Sequence, residues 1–138
     1  MFGLWAIILC WEEGYLEALG LHLILELKEC RPDLLDDMDF VQQTLLNAAE
    51  TTGATIIGKT FHKFAPQGVT GVVAIAESHV CIHTWPEYGY AAADIFTCGE
   101  NFSPHAAAGY IAEMFECKDP HFQEVTRGVL PQPAGTEA

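Results

Sequence analysis

Leu21, Leu23, Leu25 and Leu27 are interleaved with His22, Ile24 and Glu26, a period of two that predicts a strand with one buried face. Pro32 sets a boundary. From Asp33 to Thr52 the apolar positions Leu34, Leu35, Met38, Val41, Leu45, Leu46 and Ala49 recur at helical spacing, and Gly53 stops the pattern. Ala54–Phe61 predicts a second strand, and Pro66-Gln67-Gly68 is a turn signal. Val69–Ala76, His79–Trp85 and Tyr90–Cys98 predict three more strands, the last two separated by a turn at Pro86–Gly89. Ser103-Pro104 suits an N-cap and first turn, so a helix is expected to about Glu116 with Tyr110, Ile111, Met114 and Phe115 on its apolar face. Phe122–Leu130 predicts a final strand. The order β-α-β-β-β-β-α-β predicts an α+β two-layer sandwich, a largely antiparallel sheet with two main helices on one face. The other sheet face would be partly apolar and uncovered, which predicts a dimer that buries it.

Composition narrows the function. A chain of 138 residues is expected to be one domain, here 16–130, with an apolar extension over 1–15 and a flexible tail over 131–138. The net charge of −13, from 19 acidic and 6 basic residues, argues against a nucleic-acid partner, because phosphates would repel it. Phe2–Cys10 is apolar, but Glu12 and Glu13 end it well short of the roughly 20 residues a membrane helix needs. It also lacks the basic start and cleavage site of a secretory signal. No membrane contact is expected, and the extension reads as packed or partner-covered. Five cysteines without a Cys-x-x-Cys pair argue against a disulfide framework or a zinc knuckle; free thiols in a reducing cytoplasm fit better.

Chemistry concentrates between Val72 and Cys98. There an apolar run ends in Glu77, Ser78 and His79, and His83 and Cys98 follow. Each residue alone is ordinary: a turn serine, a hydrogen-bonded strand histidine, a small buried thiol. Together they allow a serine hydroxyl to attack the carbonyl before it, given a strained turn, an acid/base group and an oxyanion donor. Ser78 and His83 are five apart, so a straight strand would put them on opposite faces, and their cooperation requires a bend or bulge between them. His79 and His83 have helical chelate spacing, but on a strand they stand about 13 Å apart, so no metal site is expected. The chain has no Gly-x-Ser-x-Gly elbow. A Cys98-His83 nucleophile pair rests on the two residue types alone.

The segments Phe61-His-Lys-Phe64, Pro66-Gln-Gly-Val69, Gly71-Val-Val73, Ala76-Glu-Ser-His79, Ile82–Ala92 and Asp94–Gly99 together resemble the prokaryotic S-adenosylmethionine decarboxylases, over a match from about Leu19-Gly20 to Arg127-Gly128. The resemblance implies a chain that cuts itself between Glu77 and Ser78, with Ser78 becoming a pyruvoyl cofactor that forms a Schiff base with the substrate. It implies that His83 assists processing and that Cys98 returns a proton to the decarboxylated carbon. It implies that Phe64 stacks on adenine and Glu87 binds the ribose hydroxyls. The implied product is the aminopropyl donor for spermidine synthesis, and the implied assembly is a homodimer of face-to-face sheets with active sites near the interface.

The pattern departs from the family at three places. Thr70 stands where serine is usual and keeps a hydroxyl for processing support. Leu21 stands where a basic residue commonly precedes the histidine. The first 15 or so residues extend beyond the usual start. Two alternatives stay open at this level: a pyruvoyl-dependent arginine or ornithine decarboxylase of the same family, and an unprocessed, inactive regulatory homologue.

Overall fold

The computed structural model describes residues 9–11, 14–53, 55–98 and 103–131. Among the described residues the strands are β1 (Leu9–Trp11), β2 (Gly14–Lys28), β3 (Ile56–Lys63), β4 (Val69–Ile75), β5 (Ser78–Trp85), β6 (Tyr90–Thr97) and β7 (Asp119–Pro131). Three helices are α1 (Pro32–Leu35), α2 (Met38–Thr51) and α3 (Pro104–Met114), and a 3-10 turn covers Pro86–Tyr88. Each pairing among the described strands is antiparallel. Across the sheet the order is β3-β4-β5-β6-β2-β7, and β1 pairs with the first residues of β2.

Alternation decides which face is covered. Leu23, Leu25 and Leu27 of β2, Val73 and Ile75 of β4, Val80 and Ile82 of β5 and Ile95 of β6 are buried against Val41, Leu45 and Ala48 of α2 and Ala107, Ala108 and Ile111 of α3. Each such aliphatic side chain contributes about 1.5–3 kcal/mol on burial. The expected α+β sandwich with its helices on one face is the observed architecture. None of the helices described is long and apolar enough to cross a membrane.

The expected helix over 33–52 is broken in two. Asp37 leaves the helical conformation, and its carboxylate accepts from the Phe40 amide at 3.1 Å, an N-cap for α2. Asp36 turns outward, where it accepts from the Gly68 amide at 2.9 Å and pairs with Lys63 at 2.5 Å. Aspartates favour such caps and local bonds over helix interiors, and these tertiary partners fix the break. Two strands are longer than their alternation suggests. β7 begins at Asp119 and β2 reaches back to Leu16 because they pair with each other from Leu16↔Pro131 to Lys28↔Asp119, and β1 pairs with the first residues of β2 from Gly14. Gly20 is required inside β2, since a Cβ there would stand 2.7 Å from the Phe96 ring.

Much of the expected extension over 1–15, and nearly all of the expected tail over 131–138, lies outside the described residues. Of the former, Leu9–Trp11 and the start of β2 are strand; of the latter, Pro131 ends β7.

Candidate active site

β4 and β5 join through a two-residue corner, Ala76-Glu77, with Ile75 paired to Ser78. Glu77 holds φ at 65°, the left-handed region that a residue with a Cβ enters at a cost of roughly 1–3 kcal/mol. β6 runs back beside β5 and delivers Cys98 to this corner. The Cys98 thiol donates to the Glu77 carbonyl oxygen at 2.6 Å. Glu77, Ser78 and Cys98 are therefore one cluster, with a strained residue, the following hydroxyl and a donor aimed at the carbonyl between them.

A second cluster occupies the far end of the same strands. Thr70 of β4 and His83 of β5 are cross-strand partners, and the Thr70 hydroxyl lies 3.0 Å from His83 Nδ1. Phe64 follows β3 in a loop closed by its own amide bonding to Gly68 O at 2.8 Å, and its ring is 47% exposed. Glu87 sits on the 3-10 turn, where Gln67 Nε2 donates to Glu87 Oε2 at 2.6 Å. Gln67 thus ties the loop carrying Phe64 to the turn carrying Glu87. The Lys63 ammonium, then the Gly68 amide, hold the Asp36 carboxyl below its usual range, so the same loop is also fastened to the end of α1.

The structure does not bring these clusters together within one chain. The bend expected between Ser78 and His83 is absent. β5 keeps an unbroken register with β4 from Ile75↔Ser78 to Thr70↔His83, and with β6 from His79↔Phe96 to Trp85↔Tyr90. Pairing on both edges leaves no room for an extra residue. Five residues of strand separate Ser78 and His83 by about 16 Å at ~3.3 Å each. Phe64 and Glu87 lie beyond His83, at the end of the sheet opposite Ser78.

Sequence reasoning missed two features. One is Gln67, which stood out only as part of a turn. The other is a cluster on the uncovered sheet face, next to Ser78. His22 Nε2 and His79 Nε2 lie 2.9 and 2.8 Å from the same oxygen, Asp94 Oδ2, and Arg127 reaches His22 Nδ1 at 3.1 Å. The alternation of β2 places His22 on the face opposite Leu23, but the register that sets it against Phe96, with Asp94 two residues along on the same face, is not readable from one strand. The three ligand atoms lie within 4.8 Å of one another, a spacing that could hold a cation. The hydrogen-bond pattern opposes that use. A guanidinium only donates, so His22 Nδ1 accepts and Nε2 carries the proton given to Asp94. Nearby, burial and then the Asp94 charge push the Cys81 thiol up to about 11. Cys30, Cys81, Cys98 and Cys117 are all free thiols.

Comparison with known proteins bears on this arrangement. The sequence model of the family described as S-adenosylmethionine decarboxylase matches residues 21–128. The S-adenosylmethionine decarboxylase proenzyme of Thermodesulfovibrio yellowstonii is 56% identical over 113 residues, 82% of this chain and 84% of that protein. The proenzyme of Syntrophomonas wolfei is 50% identical over 118 residues, 86% of this chain and 94% of that protein. The crystal structure of the adenosylmethionine decarboxylase from Aquifex aeolicus superposes with a TM-score of 0.79 at 33% identity, covering 86% of this chain and 98% of that one. With the matched residues reaching from β2 into β7, the chain belongs to the S-adenosylmethionine decarboxylase family.

Proposed function

We propose that this chain cuts itself between Glu77 and Ser78 and then decarboxylates S-adenosylmethionine, supplying the aminopropyl donor for spermidine synthesis. The observation that carries this reading is the corner at Glu77. Its carbonyl is followed by a serine, held in a left-handed turn, and polarised by the Cys98 thiol. In the processing step Ser78 Oγ adds to the Glu77 carbonyl carbon and the Ser78 nitrogen leaves with a proton, exchanging amide for ester. Removal of the Ser78 α-proton expels the Glu77 carboxylate and leaves a dehydroalanine. Water then replaces its nitrogen, releasing ammonia and leaving a pyruvoyl end. Cys98 stabilises the oxyanion as it forms, and the strain at Glu77 is relieved by the cut.

The residues around Ser78 fit a pyruvoyl group, which supplies the electron sink for loss of carbon dioxide. Cys98, freed from the Glu77 carbonyl by the cut, returns a proton to the substrate α-carbon. Phe64 offers a π-face to adenine. Glu87 accepts from the ribose hydroxyls, with Gln67 steadying one of its two oxygens.

This division of labour requires a homodimer. Ser78 and Cys98 stand at one end of the sheet, and Thr70, His83, Phe64 and Glu87 at the other. Two sheets packed face to face about a two-fold axis bring one copy's Ser78 end against the other's Glu87 end. The uncovered face suits such packing: Val72 is 38% exposed on it, and Ile24, Cys81 and Phe96 are half-buried beside it. In that assembly the second copy's His83, oriented by Thr70, serves as the acid/base group for processing. A reducing cytoplasm fits the free thiols.

Intact mass spectrometry of the purified chain tests the reading. It should give fragments of 77 and 61 residues from the 138, the second blocked at its N-terminus, together with carbon dioxide release from S-adenosylmethionine. Release from arginine or ornithine instead would replace the substrate and keep the processing chemistry. A single uncut band would leave an unprocessed homologue.

A further inference from the structure

The network beside Ser78 has no part in the chemistry above, yet it spans four strands. Arg127 of β7 donates to His22 of β2, His22 donates to Asp94 of β6, and His79 of β5 donates to the same Asp94 oxygen. The rings are fixed as well as bonded. His79 stacks on Phe96 with centroids 5.9 Å apart, His22 meets the edge of Phe96 at 5.7 Å, and the Arg127 guanidinium lies 6.0 Å over the same ring. The chain has only two arginines, and one of them is placed here. Asp94 is 30% exposed on its side chain and His22 20%, so the bonds are partly shielded from water.

His79 is the residue immediately after Ser78. Before the cut, the Ile75–Ser78 corner fixes residue 78 from both directions. After it, residue 78 is a chain end, and strand ends fray unless tied down. His79 is then the first complete residue of the new chain, and its side chain is the first that can hold the end in place. A reacting carbonyl displaced by 1 Å can lose on the order of 100-fold in rate.

We propose that the Arg127–His22–Asp94–His79 network is a positioning device for the chain end created by processing: it holds His79, and through it the pyruvoyl carbonyl, once the Glu77–Ser78 bond is gone. This rests on the self-cleavage reading. His79 and Asp94 act through the position of residue 78 and touch no reacting atom. The network matters little to the uncut chain, whose corner is covalently closed, and much to the cut one.

The test compares Asp94→Ala, His79→Ala and His79→Gln. Glutamine keeps an N–H donor at about the reach of His79 Nε2. Each is prepared in the self-cutting protein and in the uncut Ser78→Ala protein, as the full chain. Asp94→Ala and His79→Ala should still be cut to completion but lose about tenfold or more in kcat, with KM changed less than about threefold. His79→Gln should recover most of the lost kcat. Hydrogen exchange at the start of β5 should rise in the cut variants and stay near the parent level in the Ser78→Ala background. Equal loss of protection in both backgrounds would mean a purely structural role and would overturn the proposal. So would full kcat in a cut Asp94→Ala or His79→Ala protein. If Asp94→Ala fails to fold, the His79→Ala and His79→Gln pair decides alone. Failure of the unaltered protein to cut would sink the self-cleavage reading itself, an outcome distinct from these.

Discussion

The two ends of β5 are built in different ways. At the Ser78 end the main chain does the work: a non-glycine residue at φ 65°, a carbonyl held by Cys98, and a hydroxyl next in sequence. At the Glu87 end the left-handed positions fall on glycines, Gly68 and Gly89, and side chains hold loops together: Gln67 to Glu87, Asp36 to Gly68 and Lys63. Breaking a peptide bond needs strain delivered to one carbonyl. Recognising a nucleoside needs an anchored platform whose exposed ring and carboxylate are already in place. Neither end carries both, so under the proposed function one copy of the chain would hold two halves of different sites.

Breaking that comparison outright is the task of Ser78→Ala, which should abolish the 77- and 61-residue fragments; continued cutting at the same bond would discard the corner as the processing site. Nearly as large an effect, in the opposite direction, is expected from mixing two inactive chains. Co-expressed Ser78→Ala and His83→Ala proteins should regain activity. Half of the composite sites in each mixed dimer carry both lesions and the other half carry none. If the mixture stays dead while mixed dimers form, the two ends do not complete each other across copies.

Glu87→Gln should leave processing intact and weaken catalysis on S-adenosylmethionine by about tenfold or more. A charged acceptor is worth roughly 1.5–3 kcal/mol per hydrogen bond, and ~1.4 kcal/mol is a factor of ten. An equal loss of cutting would show that the Glu87 end is not specialised for recognition.

The smallest effect is on acid stability. The Asp36 carboxyl is held below its usual range chiefly by Lys63, so the folded state releases that proton more readily than the unfolded chain. Its contribution is complete above the ordinary carboxylate value of about 4 and fades as pH falls through the folded value. Asp36→Asn should therefore lower Tm slightly at neutral pH and flatten its decline below about pH 4. An unchanged acid limb would remove Asp36 from the anchoring of the Phe64 loop.

The sandwich was legible because alternation at Leu21–Leu27 and helical spacing from Val41 to Ala49 are set by which side chains avoid water. The split of the long helix was not, because Asp36 is claimed by Gly68 and Lys63, both distant in sequence. Nor was the full length of β2 and β7, whose outer halves are strand through mutual pairing. At the site, Glu77, Ser78 and Cys98 do converge. The bend expected between Ser78 and His83 is absent. Unbroken register on both sides of β5 rules it out, and register belongs to the sheet as a whole. Gln67 and Asp94 escaped notice for the same reason, since their partners lie 20 residues away or more, or on neighbouring strands.

Strand order bears on the proposed cut. A break between β4 and β5 assigns β2, β3 and β4 to one piece and β5, β6 and β7 to the other. In the sheet, β2 nonetheless lies between β6 and β7. The larger fragment is thus threaded through the smaller one, and α2 of the first packs on α3 of the second. Separating the pieces would mean peeling a central strand from both neighbours and opening the shared core. The proposed scission would leave the molecule in one piece, and its two products should behave in dilution as a single folding unit.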